Sequence, residues 1–178
     1  WATDAHKWLN VPYDSGLAFV RDGVALQSAM AITAEYLPSE SAVRNPSDFT
    51  PELSRRARGV EVWAALRSLG RSGVAELISG CVRHAQRFAA GLHAAGYEVL
   101  NDVVLNQVLV RFDAEDAAEG DARTRAIVSA VQREGTCWMS GTDWHGVAAM
   151  RISVSNWSTT EGDVDRSVAA ILRVAATI

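Results

Sequence analysis

The chain has 178 residues, of which 48% are apolar and 21% are charged, and its formal net charge is −4. This composition is typical of a globular protein and gives no electrostatic reason to expect a nucleic acid or an anionic membrane as a partner. No apolar run approaches the roughly 20 residues that a membrane-spanning helix needs, and no signal peptide is evident. Two widely spaced cysteines, Cys81 and Cys137, indicate buried free thiols and therefore predict a cytoplasmic location.

The first ten residues contain Lys7, which is the only lysine among 17 lysine and arginine side chains. A guanidinium stays protonated, whereas an amine can lose its proton and attack a carbonyl. Lys7 follows Asp4 and His6 and lies between Trp1 and Trp8, an unusual setting for a solvated surface lysine. The pattern favours a functional amine, although a GC-rich coding sequence that depletes lysine would also explain its rarity. The chain starts without methionine, and a site so close to its start would lack upstream walls, so we expect a C-terminal fragment.

The next elements are predicted from apolar periodicity and turn residues. Residues 17–21 form a short apolar strand, and residues 37–51 form a long polar loop. Thr50 and Pro51 resemble a helix start, and this helix is predicted to end at Gly70, with three arginines within about one turn at residues 54–59. A second helix is expected over residues 72–95, where apolar side chains recur at three-and-four spacing before Gly96.

From Tyr97 onward the pattern predicts a ββαββα order. Strands are expected at residues 97–100, 104–112, 136–140 and 149–157, an acidic linker at 113–121, and a helix at 123–134 that ends before Gly135. Residues 158–161 match a capping box for a last helix that ends near residue 175. Such an order usually forms a small antiparallel sheet with helices on one face.

Metal binding is not supported by the histidine spacing. The four histidines, His6, His84, His93 and His145, form no i,i+4 pair with each other or with a cysteine. The chain also lacks a nucleophile elbow, a P-loop and a dinucleotide-binding fingerprint. By elimination, any chemistry in this chain belongs to Lys7.

Four segments then carry a resemblance to a known family. Residues 4–9, DAHKWL, resemble the lysine motif of the group II pyridoxal-phosphate amino-acid decarboxylases, which include the aromatic-amino-acid and glutamate enzymes. Residues 14–20 resemble the strand after that lysine, and residues 54–63 resemble the family's G-R-R-x-x-x-x-K-x-W segment, with Ser54 for glycine and Glu61 for lysine. Residues 150–156 resemble its C-terminal strand.

The resemblance implies an α/β chain that is a fragment of the aspartate-aminotransferase-like fold (fold type I). Residues 1–50 would be the end of the large domain with the Schiff-base lysine and the mobile catalytic loop. Residues 51–96 would be connecting helices, and residues 97–178 the small C-terminal domain. The complete enzyme would be a cytoplasmic homodimer with its active site at the subunit interface.

The resemblance also assigns roles to individual residues. Lys7 would be catalytic and would hold pyridoxal 5'-phosphate as an internal aldimine. His6 and Asp4 would lie beside the cofactor, His6 near its phosphate, although an aspartate next to a phosphate is unfavourable unless it faces away. Arg151 would bind the carboxylate of an amino-acid substrate, or would form a structural salt bridge on its strand. Arg56 would support the active site or the dimer interface, or would be structural.

Alternatives to simple decarboxylation stay open. In the family, a tyrosine of the catalytic loop returns a proton to the product. The corresponding residues 39–49 contain no tyrosine; Tyr36 precedes them, and Phe49 is the only aromatic residue among them. The reaction could therefore be that of a related pyridoxal-phosphate lyase or aldehyde synthase. A non-catalytic ββαββα binding or dimerisation module, in which Lys7 is incidental, is the alternative from another class.

Overall fold

A computed structural model of the protein describes residues 1–32, 44–112 and 116–178. The chain divides into two compact units, Trp1–Ser68 and Leu69–Ile178. The proposed three-part division at residues 50 and 96 stays a prediction, since this two-unit description does not test it. Tyr36, residues 37–43 of the predicted loop, and residues 113–115 of the predicted linker lie outside the described residues.

The first unit is built around a two-stranded antiparallel sheet that encloses a short helix. Ala2 pairs with Ala18 and Asp4 with Gly16, so the strand before Lys7 pairs with the strand that follows it. The predicted strand at 17–21 is shorter and begins one residue earlier. The elements are β1 (Ala2–Asp4), α1 (Ala5–Trp8), β2 (Gly16–Ala18), α2 (Gly23–Met30), a 3-10 helix (Pro46–Phe49) and the start of α3 (Gly59–Ala94).

The predicted helix start at Thr50 and Pro51 is wrong, because α3 begins only at Gly59. Thr50 is extended, with φ −140° and ψ 150°, and its hydroxyl donates to the Glu52 carbonyl instead of capping a helix. Local capping signals are weak compared with tertiary contacts, and here arginines of the intervening stretch contact another segment of the unit. Gly70 does interrupt the helix as predicted, with φ 62° and ψ −176°, a conformation that suits glycine.

The second unit is a four-stranded antiparallel sheet with helices. Its strand order is β3-β4-β6-β5, and every neighbouring pair is antiparallel. After α3 the elements are β3 (Glu98–Val99), β4 (Gln107–Arg111), α4 (Ala117–Glu134), β5 (Ser140–Trp144), β6 (Val147–Ser153) and α5 (Glu161–Ala175). The predicted ββαββα order is confirmed.

A single hydrophobic core joins one face of this sheet to three helices. Val108 and Val110 of β4 lie opposite Ile152 and Met150 of β6, and all four are buried. The same cluster contains apolar side chains from α3, α4 and α5, so the predicted packing of helices on one sheet face is confirmed. The helical members of the cluster are Ala85, Phe88, Leu92, Ile127, Val128, Val131, Val164, Ile171 and Ala175.

Several boundaries in this unit differ from the predictions. Helix α4 begins at Ala117, inside the predicted linker, because Asp116 caps it by accepting a hydrogen bond from the Glu119 amide. The strand expected at 136–140 instead occupies Ser140–Trp144, a polar sequence that pairing with β6 makes extended. The last helix begins after Thr160, whose capping box uses Asp163 and not the predicted residues 158–161.

A buried ion pair was not predicted from the sequence. Arg111, at the end of β4, is only 7% exposed, and its Nη1 lies 3.2 Å from Oδ1 of Asp121 on α4. Its Nη2 also donates to the Ala117 carbonyl at 3.0 Å. A guanidinium is tolerated in such a site only when its donors are satisfied, so this pair fixes the start of α4 against the sheet.

Both cysteines are free thiols, with Cys81 buried and Cys137 half-buried, and burial raises the pKa of each.

Among the residues that the structure describes, no helix is both long and apolar enough to cross a membrane. No group of three or more histidine, cysteine, aspartate or glutamate side chains in the same described ranges is arranged to hold a metal ion.

Candidate active site

The backbone around Lys7 is held by polar contacts at both ends of α1. Asp4 is extended and accepts a hydrogen bond from the His6 amide at 3.0 Å, which caps the helix. Asn10 has a φ of 52°, and its side-chain amide donates to the Lys7 carbonyl at 3.0 Å. Between them, the Ala5 amide donates to the Ser15 carbonyl at 2.9 Å. These contacts fix the peptide that carries Lys7, although α1 has only four residues.

The Lys7 side chain is exposed, and its amine forms no ion pair or side-chain hydrogen bond with any described residue. Attack on a carbonyl requires the lone pair of a deprotonated primary amine, and no salt bridge with a described residue engages this one. The geometry therefore presents a single primary amine on a fixed backbone.

His6 is oriented by two contacts. Its Nδ1 lies 3.1 Å from the Val11 carbonyl, and because a carbonyl can only accept, Nδ1 carries the proton. Its ring stacks on the Tyr13 ring with centroids 3.6 Å apart and planes 25° apart. Its Nε2 has no hydrogen-bond partner within the described ranges. Only the doubly protonated ring could donate through Nε2 to an anion.

Asp4 serves as the cap of α1, so its carboxylate is directed toward the His6 amide. This contact lies within the turn itself and does not test the role of Asp4 beside a cofactor, which stays a prediction. A carboxylate already bonded to a backbone amide is better tolerated near a phosphate than a free one, since the donor partly offsets its charge.

An open cleft of about 590 Å³ lies in the same unit. Arg58 forms an ion pair with Asp14 there, and Arg56 donates to the Tyr13 carbonyl. The hydrogen bond from Arg58 holds the pKa of Asp14 below its usual range. The remaining lining residues are Ser15, Gly16, Leu17, Pro46, Ser47, Thr50, Leu53, Arg55, Ala57, Gly59 and Val62.

Arg151 lies in the second unit, on the sheet face opposite the core. It is exposed on β6, between the buried Met150 and Ile152, and its Nε donates to Ser140 Oγ at 3.1 Å. Among the described residues no acidic side chain forms a salt bridge with Arg151, and its role in substrate binding stays a prediction. Its two terminal nitrogens are therefore suited to a bidentate carboxylate contact.

The structure thus brings Asp4, His6 and Lys7 together on one turn, whereas Arg151 belongs to the other compact unit. The sequence analysis missed the contacts of Tyr13 and Asp14 with Arg56 and Arg58. A signal was present: three arginines occur within four residues, and on one helical turn they could not all face the same way.

Comparison with known proteins supports the sequence resemblance. Residues 1–113 match the pyridoxal-dependent decarboxylase conserved domain. An aromatic-L-amino-acid decarboxylase of Bacillus atrophaeus is 28% identical over 89% of this chain and 35% of its own length. A 4-hydroxyphenylacetaldehyde synthase of Rhodiola rosea is 27% identical over 91% of this chain and 34% of its own length. This chain therefore spans about a third of the length of these relatives.

The fold agrees with that comparison. The crystal structure of Oryza sativa TDC with PLP and tryptamine matches 99% of this chain and 38% of its own, with a TM-score of 0.91 at 22% identity. The prediction of an α/β fragment of this enzyme fold is confirmed. Since the domain match covers more than half of the residues, the chain belongs to the pyridoxal-dependent decarboxylase family, whose cofactor is the predicted pyridoxal phosphate.

Proposed function

We propose that this chain is the part of an amino-acid decarboxylase that contains the cofactor-binding lysine, and that Lys7 is that lysine. The observation that carries the proposal is the amine of Lys7, exposed and without a partner in the described chain, on a backbone fixed by Asp4 and Asn10. Lys7 is also the only lysine, so no second lysine side chain of this chain competes for the role.

The side chains of the lysine turn, which comprises residues 4–10, fit pyridoxal phosphate. A primary amine suits its aldehyde, and the Nε2 atom of His6 is available for a polar contact. When bound, the cofactor supplies a ring that accepts the electron pair released as the substrate carboxylate leaves. The protein's own part is then to hold the cofactor, to orient the substrate and to move protons.

Each residue has a distinct task in this proposal. Lys7 would hold the cofactor through its Nζ amine, and the same amine would carry a proton when it is not engaged in that contact. His6, held by Val11 and Tyr13, would contact the phosphate of the cofactor. Asp4 keeps the turn in shape by capping α1. Arg151 binds a carboxylate of the substrate with the nitrogens that Ser140 leaves unengaged.

The direct test is an absorbance scan of the whole protein with pyridoxal phosphate, before and after borohydride reduction, followed by peptide mapping. We expect a visible band that borohydride removes while fixing the cofactor onto the peptide containing Lys7. Lys7→Arg is the matched control, because it retains the charge but has no nucleophilic amine. A band that survives in this variant, or a label on another peptide, would contradict the proposal. Absence of any band in the whole wild-type protein would favour the non-catalytic module.

An aldehyde synthase is the second candidate. Two observations favour it: residues 39–49 contain no tyrosine, and the Rhodiola rosea relative is a 4-hydroxyphenylacetaldehyde synthase. Decarboxylation yields an amine and carbon dioxide without oxygen. The synthase reaction consumes dioxygen and water and yields an aldehyde, carbon dioxide, ammonia and hydrogen peroxide. Measuring oxygen uptake together with amine and aldehyde products therefore separates the two reactions.

The substrate and the assembly are also proposals. An L-amino acid is the proposed substrate class, in keeping with the aromatic-amino-acid decarboxylase relative. A homodimer with its active site at the subunit interface, located in the cytoplasm, is the proposed state of the whole protein. Light scattering of the purified whole protein measures the assembly, and activity recovered by mixing two inactive variants, one in each subunit, would indicate a shared site.

A further inference from the structure

Two arginines hold the segment that follows the lysine turn. Arg58 forms an ion pair with the Asp14 carboxylate, and Arg56 donates to the Tyr13 carbonyl. These contacts join residues that are 44 and 43 positions apart in the sequence. Arg58 is the more enclosed partner, with 27% of its side chain exposed compared with 72% for Asp14. The pair therefore anchors an otherwise exposed segment to the beginning of α3.

The same segment contacts the neighbour of Lys7. The Tyr13 ring stacks on the His6 ring at 3.6 Å, and His6 Nδ1 donates to the Val11 carbonyl. Ser15 adds two further contacts, since its hydroxyl donates to the Pro12 carbonyl at 2.6 Å and its carbonyl accepts from the Ala5 amide. Residues 11–15 therefore form a support along one side of the turn that carries Lys7.

We propose that Arg56 and Arg58 are positioning residues for the lysine site, which act by holding Tyr13 and Asp14 in place so that the Tyr13 ring stacks on His6. This inference rests on the proposed role of Lys7. Neither arginine touches Lys7 in the structure. Their effect passes through the Tyr13–His6 stack to the peptide that bears the amine. Two hydrogen-bonded contacts restrict the segment more than one would, because they hold the backbone carbonyl of one residue and the carboxylate of the next.

A purely structural role for the arginines makes a different prediction. Exposed ion pairs contribute little to stability, so a structural role predicts a similarly small loss of stability whichever exposed pair is removed. Arg83 and Glu76 form another ion pair in the second unit, in which the arginine is more exposed than Arg58, with 58% and 70% of their side chains exposed. Arg83→Ala is therefore a matched control, since it removes an arginine–glutamate pair that has no connection to the lysine turn.

The experiment compares Arg58→Ala, Tyr13→Ala and Arg83→Ala in the whole protein. For each, the dissociation constant of pyridoxal phosphate, the pH dependence of the visible band and the melting temperature without cofactor are measured. We expect Arg58→Ala and Tyr13→Ala to weaken cofactor binding by about fivefold or more and to shift the pH profile of the band. Arg83→Ala should leave both unchanged, while the melting temperatures of Arg58→Ala and Arg83→Ala should differ little.

Conservative variants keep the inference open to refutation if one substitution disturbs folding. Tyr13→Phe retains the stacking ring and Arg58→Lys retains the charge, so both should recover most of the wild-type cofactor affinity. Unchanged affinity and pH profile in both Arg58→Ala and Tyr13→Ala would overturn the positioning role while leaving Lys7 as the anchor. Wild-type protein that fails to bind the cofactor at Lys7 would overturn the proposed function, and this inference with it.

Discussion

Different interactions stabilise the interior of each of the two compact units. In the first unit only Ala5, Val11 and Ser15 are buried among the described residues, and polar contacts define the lysine turn. In the second unit a continuous core buries side chains from three helices and one face of a sheet. Fully burying one large apolar side chain contributes roughly 1.5–3 kcal/mol, whereas an exposed ion pair contributes about 0–1 kcal/mol.

This difference separates stability from site geometry. Hydrophobic packing is non-directional, so it stabilises a unit without specifying where one amine points. Hydrogen bonds are directional; the one that Asp4 accepts and those that Asn10 and Arg56 donate set the path of the backbone near Lys7. We therefore expect substitutions in the first unit to change function more than stability, and core substitutions in the second unit to do the reverse.

The largest expected effect is on turnover by the whole protein. Lys7→Ala should reduce it by about a thousandfold or more, because no other lysine of this chain can bind the cofactor aldehyde. The melting temperature of the protein without cofactor should stay the same, since the side chain is exposed. Steady-state kinetics and calorimetry measure the two quantities, and normal turnover would refute the assignment.

The opposite behaviour is expected for Phe112, which is fully buried and packs against the Tyr97 ring with centroids 4.6 Å apart. Phe112→Ala should lower the free energy of unfolding by about 3–5 kcal/mol through lost burial and a cavity. Urea denaturation of the 178-residue chain, followed by circular dichroism, provides the measurement. Val60→Ala is the control in the first unit, where Val60 is 60% exposed and its truncation should have little effect.

Arg151 tests the comparison from the other side, because it belongs to the stable unit yet has a proposed role at the site. Arg151→Ala should raise the Michaelis constant about tenfold or more, if a charge-assisted pair of roughly 1.5–3 kcal/mol is lost. Arg151→Lys should recover only part of the affinity, because lysine lacks the planar fork. Arg133→Ala, at another exposed arginine, is the control. An unchanged Michaelis constant for Arg151→Ala would make this residue irrelevant to substrate binding.

The smallest expected effect concerns acid stability. Hydrogen bonds from Arg87 hold the pKa of Asp165 below its usual range, across the contact between α3 and α5. A lowered pKa in the folded state stabilises the fold above the ordinary carboxyl range of about 4, and this contribution is lost as the pH falls through the lower value. Asp165→Asn should therefore lower the melting temperature slightly at neutral pH and converge with wild type in acid. Parallel curves at all pH values would contradict this origin.

The capping and periodicity rules explain which elements could be predicted. The apolar spacing before residue 95 predicted the second part of α3, whose Ala85, Phe88 and Leu92 are all buried. Gly135 ends α4 with a φ of 85°, as a glycine after a helix often does. These signals operate within a few residues, so a single stretch of sequence contains all the information that they need.

Polar strands and helix starts illustrate the limit of such rules. Ser140–Trp144 has little apolar character, and its extended backbone follows from pairing with β6 through the His145-Gly146 turn, in which both residues have positive φ. The helix expected from Thr50 is absent because Arg56 and Arg58 are bonded to Tyr13 and Asp14 instead. Long-range pairing overrode the local preference in both places.

For the candidate site, the sequence by itself determined the chemical groups: one lysine, its neighbours Asp4 and His6, and a family to which that motif belongs. The tertiary structure decided how those groups are held. It showed that Asp4 caps the lysine turn, that Tyr13 stacks on His6, and that Arg111 is buried against Asp121. The sequence specifies the identity of each side chain. A contact between residues over 40 positions apart depends instead on the path of the whole backbone, which no local pattern specifies.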